Sequence, residues 1–190
     1  RPKNGRNAYD RLKSILSFFF GNKYDEELGK RIFVIEGDIT KFDELNISKK
    51  EIEDIDTIIN SAACVKHFGE YELFEKINVN LVKDLIKFSL KYDKKLIHIS
   101  TLSVSGNLLE AGQLDQTKIK PNTVFDETSF FINQNLDNVY AYTKYLAEKE
   151  VLENISKNNL DAKIMRMGNL TGRTDDGKFQ PNVSENAFAN

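Results

Sequence analysis

The chain has 190 residues, of which 40% are hydrophobic and 29% charged, so it can bury one substantial core and has the composition of a globular protein. The net charge of −2 argues against broad electrostatic binding to nucleic acid or membrane surfaces, and no apolar run or signal-peptide pattern indicates a membrane span or secretion. One cysteine and two histidines argue against a disulfide framework and a zinc site, and we expect a cytoplasmic protein.

The first part of the chain predicts a helix, a strand and a second helix. Apolar residues at helical spacing predict an amphipathic helix over 7–20, which Gly21-Asn22 ends. The apolar run 31–36 predicts a strand that ends at Gly37-Asp38. Ser48 and Glu51 stand at capping-box spacing, which predicts the start of a short helix.

Strands and helices alternate along the rest of the chain. The patterns predict a strand over 56–63, a helix over 70–92, a strand over 95–101, a loop over 107–136, a helix over 138–157 and a strand over 162–167. Such alternation predicts right-handed crossover connections and a parallel sheet covered on both faces.

Tyr140 and Lys144 form the most informative pair. Residues four apart lie on one helix face, and an ammonium that close favours the phenolate, so it lowers the tyrosine pKa from its ordinary value of about 10. The tyrosine can then exchange a proton near neutral pH. Thr101, at the end of the preceding strand, would hold a carbonyl oxygen. Together they suit hydride transfer to or from a carbonyl.

The Tyr-x-x-x-Lys spacing by itself is weak evidence. It also occurs at Tyr9/Lys13 and at Tyr145/Lys149, which we interpret as surface pairs. Tyr145 lies about 140° around the helix from Tyr140, so the two tyrosines cannot face one cleft.

Three segments in sequence resemble motifs of a known superfamily: Ile99–Gly106, Tyr140–Glu148 and Arg166–Gly172. They resemble consecutive motifs of the extended short-chain dehydrogenases/reductases. Within these, the chain is most similar to the terminal thioester reductase domains of nonribosomal peptide synthetases. Carboxylic acid reductases and fatty acyl-CoA reductases are near relatives. The resemblance runs from Arg1 to about Asn182.

The resemblance implies the roles of the catalytic residues. Tyr140 would donate the proton, and Lys144 would tune Tyr140 and bind the nicotinamide ribose. Thr101 would donate a hydrogen bond to the carbonyl oxygen, because the superfamily's active hydroxyl lies five residues before a glycine, here Gly106. A structural tyrosine, a solvated lysine and a threonine chosen for strand propensity are the alternatives.

The resemblance also implies NADPH as the cofactor. Arg1 and Arg11 match two arginines that bind the adenosine 2′-phosphate in the reductase relatives, where NAD would call for an acidic residue. The alternatives are a frayed terminus for Arg1 and an ordinary surface charge for Arg11.

Other cofactor contacts follow from the same resemblance. They are the adenine-contacting turn at Asp38 and Ile39, the loop under the cofactor at Ala62 and Ala63, and the nicotinamide loop at Gly168 and Asn169. The alternatives are a turn aspartate bonded to its own backbone and small residues chosen for tight packing. Met167 stands where many members have proline, which leaves the geometry of that last loop open.

Five further residues receive less definite interpretations. Asn78 and Asn80 resemble an asparagine motif on the long helix, where Asn80 either supports the active site or belongs to a polar face. His98, inside a strand, is interpreted as a satisfied core histidine, and His67 has no assigned role. We expect Cys64 to be a small buried residue.

None of the ten glycines forms the G-x-G-x-x-G turn of a dinucleotide fold. The resemblance implies an α/β, partial Rossmann-like, doubly wound parallel sheet that lacks its first β-α-β unit and its C-terminal substrate region. Residues 1–190 would be a single partial NAD(P)-binding reductase domain from a larger chain. Strand 31–36 would lose its neighbours, so the chain would rearrange, swap with a partner or leave an exposed edge.

The implied function is an NADPH-dependent reductase module that releases a thioester, carried on the phosphopantetheine arm of a carrier domain, as an aldehyde or alcohol. We expect the fragment alone to be inactive. One alternative is an NAD-dependent nucleotide-sugar epimerase or dehydratase on the same scaffold. The other is a truncated fragment without catalysis.

Overall fold

The structure, a computed structural model, describes residues 5–65, 69–106, 124–132 and 134–179. The chain forms two compact units. The first comprises Arg1–Asp38, Glu44–Asn46 and Asn169–Asn190, and the second comprises Ile39–Asp43 and Ile47–Gly168.

Among its described residues the first unit has one α-helix, α1, over Ala8–Phe20. It begins at Asn7, whose side-chain oxygen accepts a hydrogen bond of 2.7 Å from the Asp10 N–H, and ends at Gly21, which has φ +62°. The predicted helix over 7–20 is therefore confirmed. None of its residues is buried, and the aromatic side chains of Tyr9, Phe18 and Phe20 are exposed.

The predicted strand over 31–36 is wrong. This segment forms only one isolated bridge, between Leu28 and Ile32, and Phe33 and Ile35 are 68% and 45% exposed. A strand forms only when a neighbour accepts and donates its backbone hydrogen bonds, and no described strand lies beside this segment. The sequence already predicted that this segment would lose its neighbours, and its apolar side chains lie partly or fully exposed.

The second unit is built on a three-stranded parallel sheet in the order β1-β2-β3, which confirms the predicted α/β fold. The strands are β1 over Thr57–Asn60, β2 over Lys95–Thr101 and β3 over Ala162–Met167. Because all three are parallel, their carboxyl ends meet at one edge of the sheet.

The helices of this unit connect the strands. They are α2 over Lys49–Asp54, α3 over Tyr71–Phe74, a π-helical turn over Glu75–Asn80, α4 over Leu81–Tyr92 and α5 over Val139–Asn158. Ser48 and Glu51 form the predicted capping box at the start of α2. One short 3₁₀ turn, over Ile39–Glu44, precedes α2, and another, over Leu102–Ser105, follows β2. In the predicted loop over 107–136, the described residues form no helix.

The core lies on one face of this sheet. Its buried cluster draws on α4, β2 and α5 and consists of Leu81, Val82, Leu85, Ile86, Leu96, Ala147, Val151 and Leu160. On the opposite face, Ile59 and Met165 are 63% and 47% exposed. The expectation that both faces are covered is therefore wrong for the described residues, because α4 and α5, which bury the sheet, share one face.

Candidate active site

The candidate site forms where β2 ends and α5 begins. Asn138 caps α5, and its side-chain oxygen accepts hydrogen bonds from the N–H groups of Tyr140 and Ala141 at 2.8 and 3.3 Å. This cap fixes Tyr140 in the first turn of the helix. Thr101 is the last residue of β2, so the fold brings these two predicted residues together.

The Tyr140 phenol lies beside the Thr101 hydroxyl, which acts on the tyrosine pKa as a hydrogen-bond partner. Burial raises the pKa of Tyr140 above its ordinary value, and the hydrogen bond from Thr101 opposes that shift. The prediction that Lys144 lowers the Tyr140 pKa is therefore wrong here: burial outweighs any opposing effect. Tyr140 remains a neutral phenol at neutral pH, which is the form that can donate a proton.

Thr101 is also fixed by its own backbone turn. Its hydroxyl oxygen accepts a hydrogen bond of 3.1 Å from the Ser103 N–H and lies 3.2 Å from the Ser103 hydroxyl. Gly106 ends this turn with φ +62°, and a Cβ there would clash with the carbonyl oxygen of Asn135. The glycine that identified Thr101 in the sequence is therefore required by the turn itself.

Lys144 lies in the interior, one helical turn after Tyr140, with 2% of its surface exposed. Its Nζ donates a hydrogen bond of 2.6 Å to the carbonyl oxygen of Ile99 and lies 3.3 Å from His98 Nε2. Burial lowers the pKa of Lys144 to about 8, and the nearby Glu148 carboxylate opposes this shift. A lysine held this way is no solvated surface residue.

His98 is fully buried and both ring nitrogens have partners, which confirms its interpretation as a satisfied core histidine. Its Nδ1 lies 3.2 Å from Asn60 Nδ2, and the Asn60 Oδ1 accepts a hydrogen bond of 3.2 Å from the Ala62 N–H. Burial, and then the charge of Lys144, lower the pKa of His98 to about 3. The imidazole is therefore neutral at physiological pH.

Glu148 and Arg166 form a buried ion pair that the sequence analysis missed. Both carboxylate oxygens of Glu148 accept hydrogen bonds from the guanidinium at 2.8 to 3.2 Å. The same guanidinium donates to the carbonyl oxygens of Asp126 and Ser129. The sequence signal that could have indicated this ion pair is the position of Glu148, four residues after Lys144 on the same, buried face of α5.

Asn78 is a second residue whose role the sequence did not reveal. Its Oδ1 accepts a hydrogen bond of 2.7 Å from the Cys64 N–H, and its Nδ2 donates to the Cys64 carbonyl and to the Thr143 hydroxyl. It therefore joins the loop after β1 to α5. Asn80, interpreted from the sequence as either a supporting residue or part of a polar face, is exposed. Cys64 is buried as expected.

The predicted cofactor contacts divide between the two units. In the second unit, Ala62 and Ala63 are half-buried just after β1, Gly168 follows β3, and Ile39 begins a 3₁₀ turn. Thr101 ends β2, and Ala62 and Gly168 lie just beyond the carboxyl ends of β1 and β3, at the edge where parallel α/β sheets bind ligands.

The remaining predicted cofactor contacts, Arg11, Asp38 and Asn169, belong to the first unit, and Arg1 lies outside the described residues, as does His67. Arg11 is half-buried on α1. Its Nε is shielded from solvent and has no hydrogen-bond partner among the described residues. Such a donor fits an anionic ligand, since leaving a buried charged donor unpaired costs free energy.

The other two Tyr-x-x-x-Lys pairs differ from Tyr140/Lys144. Tyr9 is 42% exposed and Lys13 is exposed, as a surface pair should be. Tyr145 stacks on Phe130 with ring centroids 4.5 Å apart, while Lys149 is exposed and pairs with Glu153. Neither lysine is buried.

Two classes of site find no support in the described part of the chain. Its His, Cys, Asp and Glu side chains form no cluster that could hold a metal ion. None of its helices has the length and apolar character that a bilayer crossing needs.

Comparisons with known proteins agree with this geometry. Residues 1–187 match the model of a family described as male sterility protein. A thiolation-reductase di-domain from an archaeal non-ribosomal peptide synthetase is 37% identical with a TM-score of 0.79, and the match covers 99% of this chain and 48% of that one. Fatty acyl-CoA reductase wat of Drosophila melanogaster is 26% identical over 193 residues, which are 88% of this chain and 36% of that protein. The chain thus spans about half the length of the archaeal di-domain and about a third of the Drosophila reductase.

The nucleotide-sugar epimerases are more distant. UDP-glucuronic acid 4-epimerase from Bacillus cereus, solved with NAD, is 23% identical with a TM-score of 0.58, and the match covers 80% of this chain and 44% of that one. This likeness shows a shared fold and does not extend to the chemistry.

The buried His98 predicts a specific dependence of stability on pH. The unfolded chain binds more protons than the folded one between the ordinary histidine pKa of 6.5 and the folded value of about 3. His98 therefore contributes stability that is present above pH 6.5 and lost as pH falls toward 3, by at most about 1.4 kcal/mol per pH unit. In His98→Gln this loss is absent. Urea unfolding at several pH values should show the two stability curves converging as pH falls, whereas parallel curves contradict the prediction.

Proposed function

Because this chain belongs to the male sterility protein family of extended short-chain dehydrogenases/reductases, we propose that it is the cofactor-binding part of an NADPH-dependent thioester reductase. The full-length protein would release a carrier-bound thioester as an aldehyde or alcohol. The juxtaposition of Tyr140, Thr101 and Lys144 at the carboxyl edge of a parallel sheet carries this proposal. The single cysteine favours a reducing compartment, and we place the protein in the cytoplasm.

Tyr140 and Thr101 would act on the carbonyl oxygen of the substrate. A bound NADPH supplies the hydride that adds to the carbonyl carbon. The oxygen becomes negative as this occurs, so the Thr101 hydroxyl would donate a hydrogen bond to it and Tyr140 would give it a proton. Because burial raises its pKa, Tyr140 is protonated before the reaction, as reduction of a carbonyl requires.

Lys144 would bind the nicotinamide ribose and keep a cationic group within reach of Tyr140. Its backbone is fixed one turn along α5, and its amine is fixed against the Ile99 carbonyl of β2. The lysine is therefore preorganised, so little side-chain entropy is lost when a ligand binds.

The cofactor proposal rests on Arg11 and on the strand ends. The Nε of Arg11, which is shielded from solvent and finds no hydrogen-bond partner in the described part of the chain, supports binding of the adenosine 2′-phosphate, which distinguishes NADPH from NADH. Ala62 and Ala63 would lie under the cofactor, and Gly168 and Asn169 would close on the nicotinamide. Arg1, Asp38 and Ile39 would contribute to the 2′-phosphate and adenine contacts.

The solved relative supports a carrier-bound substrate, because in that protein the reductase adjoins a thiolation domain. The Drosophila relative supports a second candidate, a fatty acyl-CoA reductase. Coenzyme A and a carrier domain present the same phosphopantetheine thioester. Comparing turnover of an acyl-CoA with turnover of the same acyl group on a carrier would separate them. The epimerase alternative has only the shared fold in its favour.

Tyr140→Phe in the full-length protein should lower kcat for thioester-dependent NADPH oxidation by about 10²-fold or more, since it removes the proton donor. The affinity for NADPH should change little. Tyr145→Phe is the matched control, because Tyr145 has the same spacing to a lysine but stacks on Phe130. If Tyr140→Phe keeps its kcat, or if both variants lose it equally, Tyr140 is not the donor.

Arg11→Ala should weaken NADPH binding by about tenfold, the loss of one charged hydrogen bond, and leave NADH binding unchanged. Lys13→Ala removes the same charge from an exposed position on α1 and serves as the control. Calorimetric titration with both cofactors measures the ratio. An equal effect on NADPH and NADH would remove Arg11 from the phosphate site.

A further inference from the structure

We propose that Asn60 and His98 are positioning residues for Lys144: through an oriented chain of hydrogen bonds they hold its amine against β2 and favour the unprotonated amine. The contacts are Asn60 Nδ2 to His98 Nδ1 at 3.2 Å and His98 Nε2 to Lys144 Nζ at 3.3 Å. All three side chains are buried, at 5%, 0% and 2% exposure. The role in turnover rests on the proposed function, whereas the hydrogen-bond orientation does not.

The backbone N–H of Ala62 determines the direction of each hydrogen bond in this series. The Ala62 N–H donates to Asn60 Oδ1, so this oxygen is the end of the amide that faces the backbone. The amide nitrogen must then face His98 Nδ1, as the hydrogen-bonding network assigns it. An amide nitrogen only donates, so His98 Nδ1 is an acceptor and carries no proton.

This fixes the tautomer of His98. A neutral imidazole carries one proton, and a fully buried imidazole with a pKa of about 3 is neutral at physiological pH. Since Nδ1 accepts, the proton lies on Nε2. The Nε2–H then faces Lys144 Nζ as a donor.

A donor in this place discriminates between the two forms of Lys144. An ammonium has three donors and no acceptor, so it cannot accept the Nε2–H, whereas the unprotonated amine has a lone pair that can. The amine also donates to the Ile99 carbonyl. Both described contacts of Nζ are therefore satisfied by the unprotonated amine, and burial, which lowers the pKa of Lys144 to about 8, acts in the same direction.

Other ionisable groups near Lys144 act in both directions. Glu148, one turn later on α5, favours the ammonium, but its carboxylate is already paired with Arg166 of β3. Tyr140, one turn earlier, is a neutral phenol. On β2, His98 presents its N–H. Among the described groups that face Lys144, the oriented Asn60–His98 pair is therefore the one whose contact disfavours the charged ammonium.

Protonation of Lys144 therefore requires a coupled change. One proton from solvent adds to Nζ, the proton of His98 is exchanged from Nε2 to Nδ1, and the Asn60 amide turns its oxygen toward the ring. The histidine keeps one proton throughout. Because the amide turn gives up the bond from the Ala62 N–H, it opposes the change. Asn60 and His98 would thereby set the pH at which Lys144 becomes charged.

Asn60→Asp reverses this orientation with almost no change of shape. One carboxylate oxygen keeps the Ala62 N–H, and the other can only accept, so His98 must carry its proton on Nδ1 and present a lone pair to the Lys144 ammonium. The variant should hold Lys144 charged to a higher pH. Ser100→Ala is the matched control, since Ser100 is buried on β2, the strand of His98, and its hydroxyl has no hydrogen-bond partner among the described residues.

The first readout is ¹⁵N NMR of the full-length protein labelled in histidine, without cofactor or substrate. The His98 signal, assigned by its loss in His98→Gln, should show the Nε2–H tautomer above the Lys144 pKa of about 8 and the Nδ1–H tautomer below it, where Lys144 is charged, and the imidazole should stay neutral on both sides. Asn60→Asp should show the Nδ1–H tautomer. A wild-type signal that keeps one tautomer across the Lys144 pKa of about 8, or that shows a charged imidazole near neutral pH, overturns the proposal without any variant having to fold.

The second readout is the pH dependence of kcat/KM for NADPH. The proposed reaction uses the charged Lys144, so the alkaline limb should move up by about one pH unit in Asn60→Asp and stay in place in Ser100→Ala. An unmoved limb in an active Asn60→Asp protein overturns the proposal. A wild-type protein with the Nε2–H tautomer but no turnover would instead refute the proposed reductase function and leave the hydrogen-bond assignment intact.

Discussion

The site depends on one buried amine. Lys144 Nζ leaves α5, passes into the interior and donates a hydrogen bond of 2.6 Å to the Ile99 carbonyl on β2. Burying an amine costs free energy unless polar partners replace water, so this contact is stable only when helix and strand keep one relative position. The same position brings Tyr140, one turn earlier on α5, to the hydroxyl of Thr101. The relative position of Tyr140 and Thr101, the proposed reacting groups, is thus set by a residue beneath them.

Other buried polar side chains of α5 also bond to neighbouring elements. Glu148 binds Arg166 of β3, and Thr143 binds Asn78 of the π-helical turn. Apolar packing between α5 and the sheet tolerates small shifts, whereas hydrogen bonds with lengths near 2.8 Å do not. We therefore attribute the position of α5 to these polar pairs and the stability of the unit to the apolar cluster between α4, β2 and α5.

The sequence predicted those features that depend on local pattern. Periodicity located β2, β3 and α5, and motif spacing located Tyr140 and Thr101. The strand over 31–36 failed because a strand requires a partner that the pattern cannot supply. The predicted lowering of the Tyr140 pKa was wrong because the sequence shows the neighbouring charge but not the burial that raises the pKa. Asn60, Asn78 and Glu148 were missed because their importance lies in being buried, which is a property of the tertiary fold.

The central claim is that the Lys144 amine, held by β2, binds the cofactor at this site. The direct measurement is a calorimetric titration of NADPH into the full-length protein, into Lys144→Met and into Lys149→Met, whose lysine is exposed on the same helix. The account predicts that NADPH binds the wild type and Lys149→Met alike and binds Lys144→Met at least about tenfold more weakly. Equal affinity in all three proteins, or no binding to any, would contradict it.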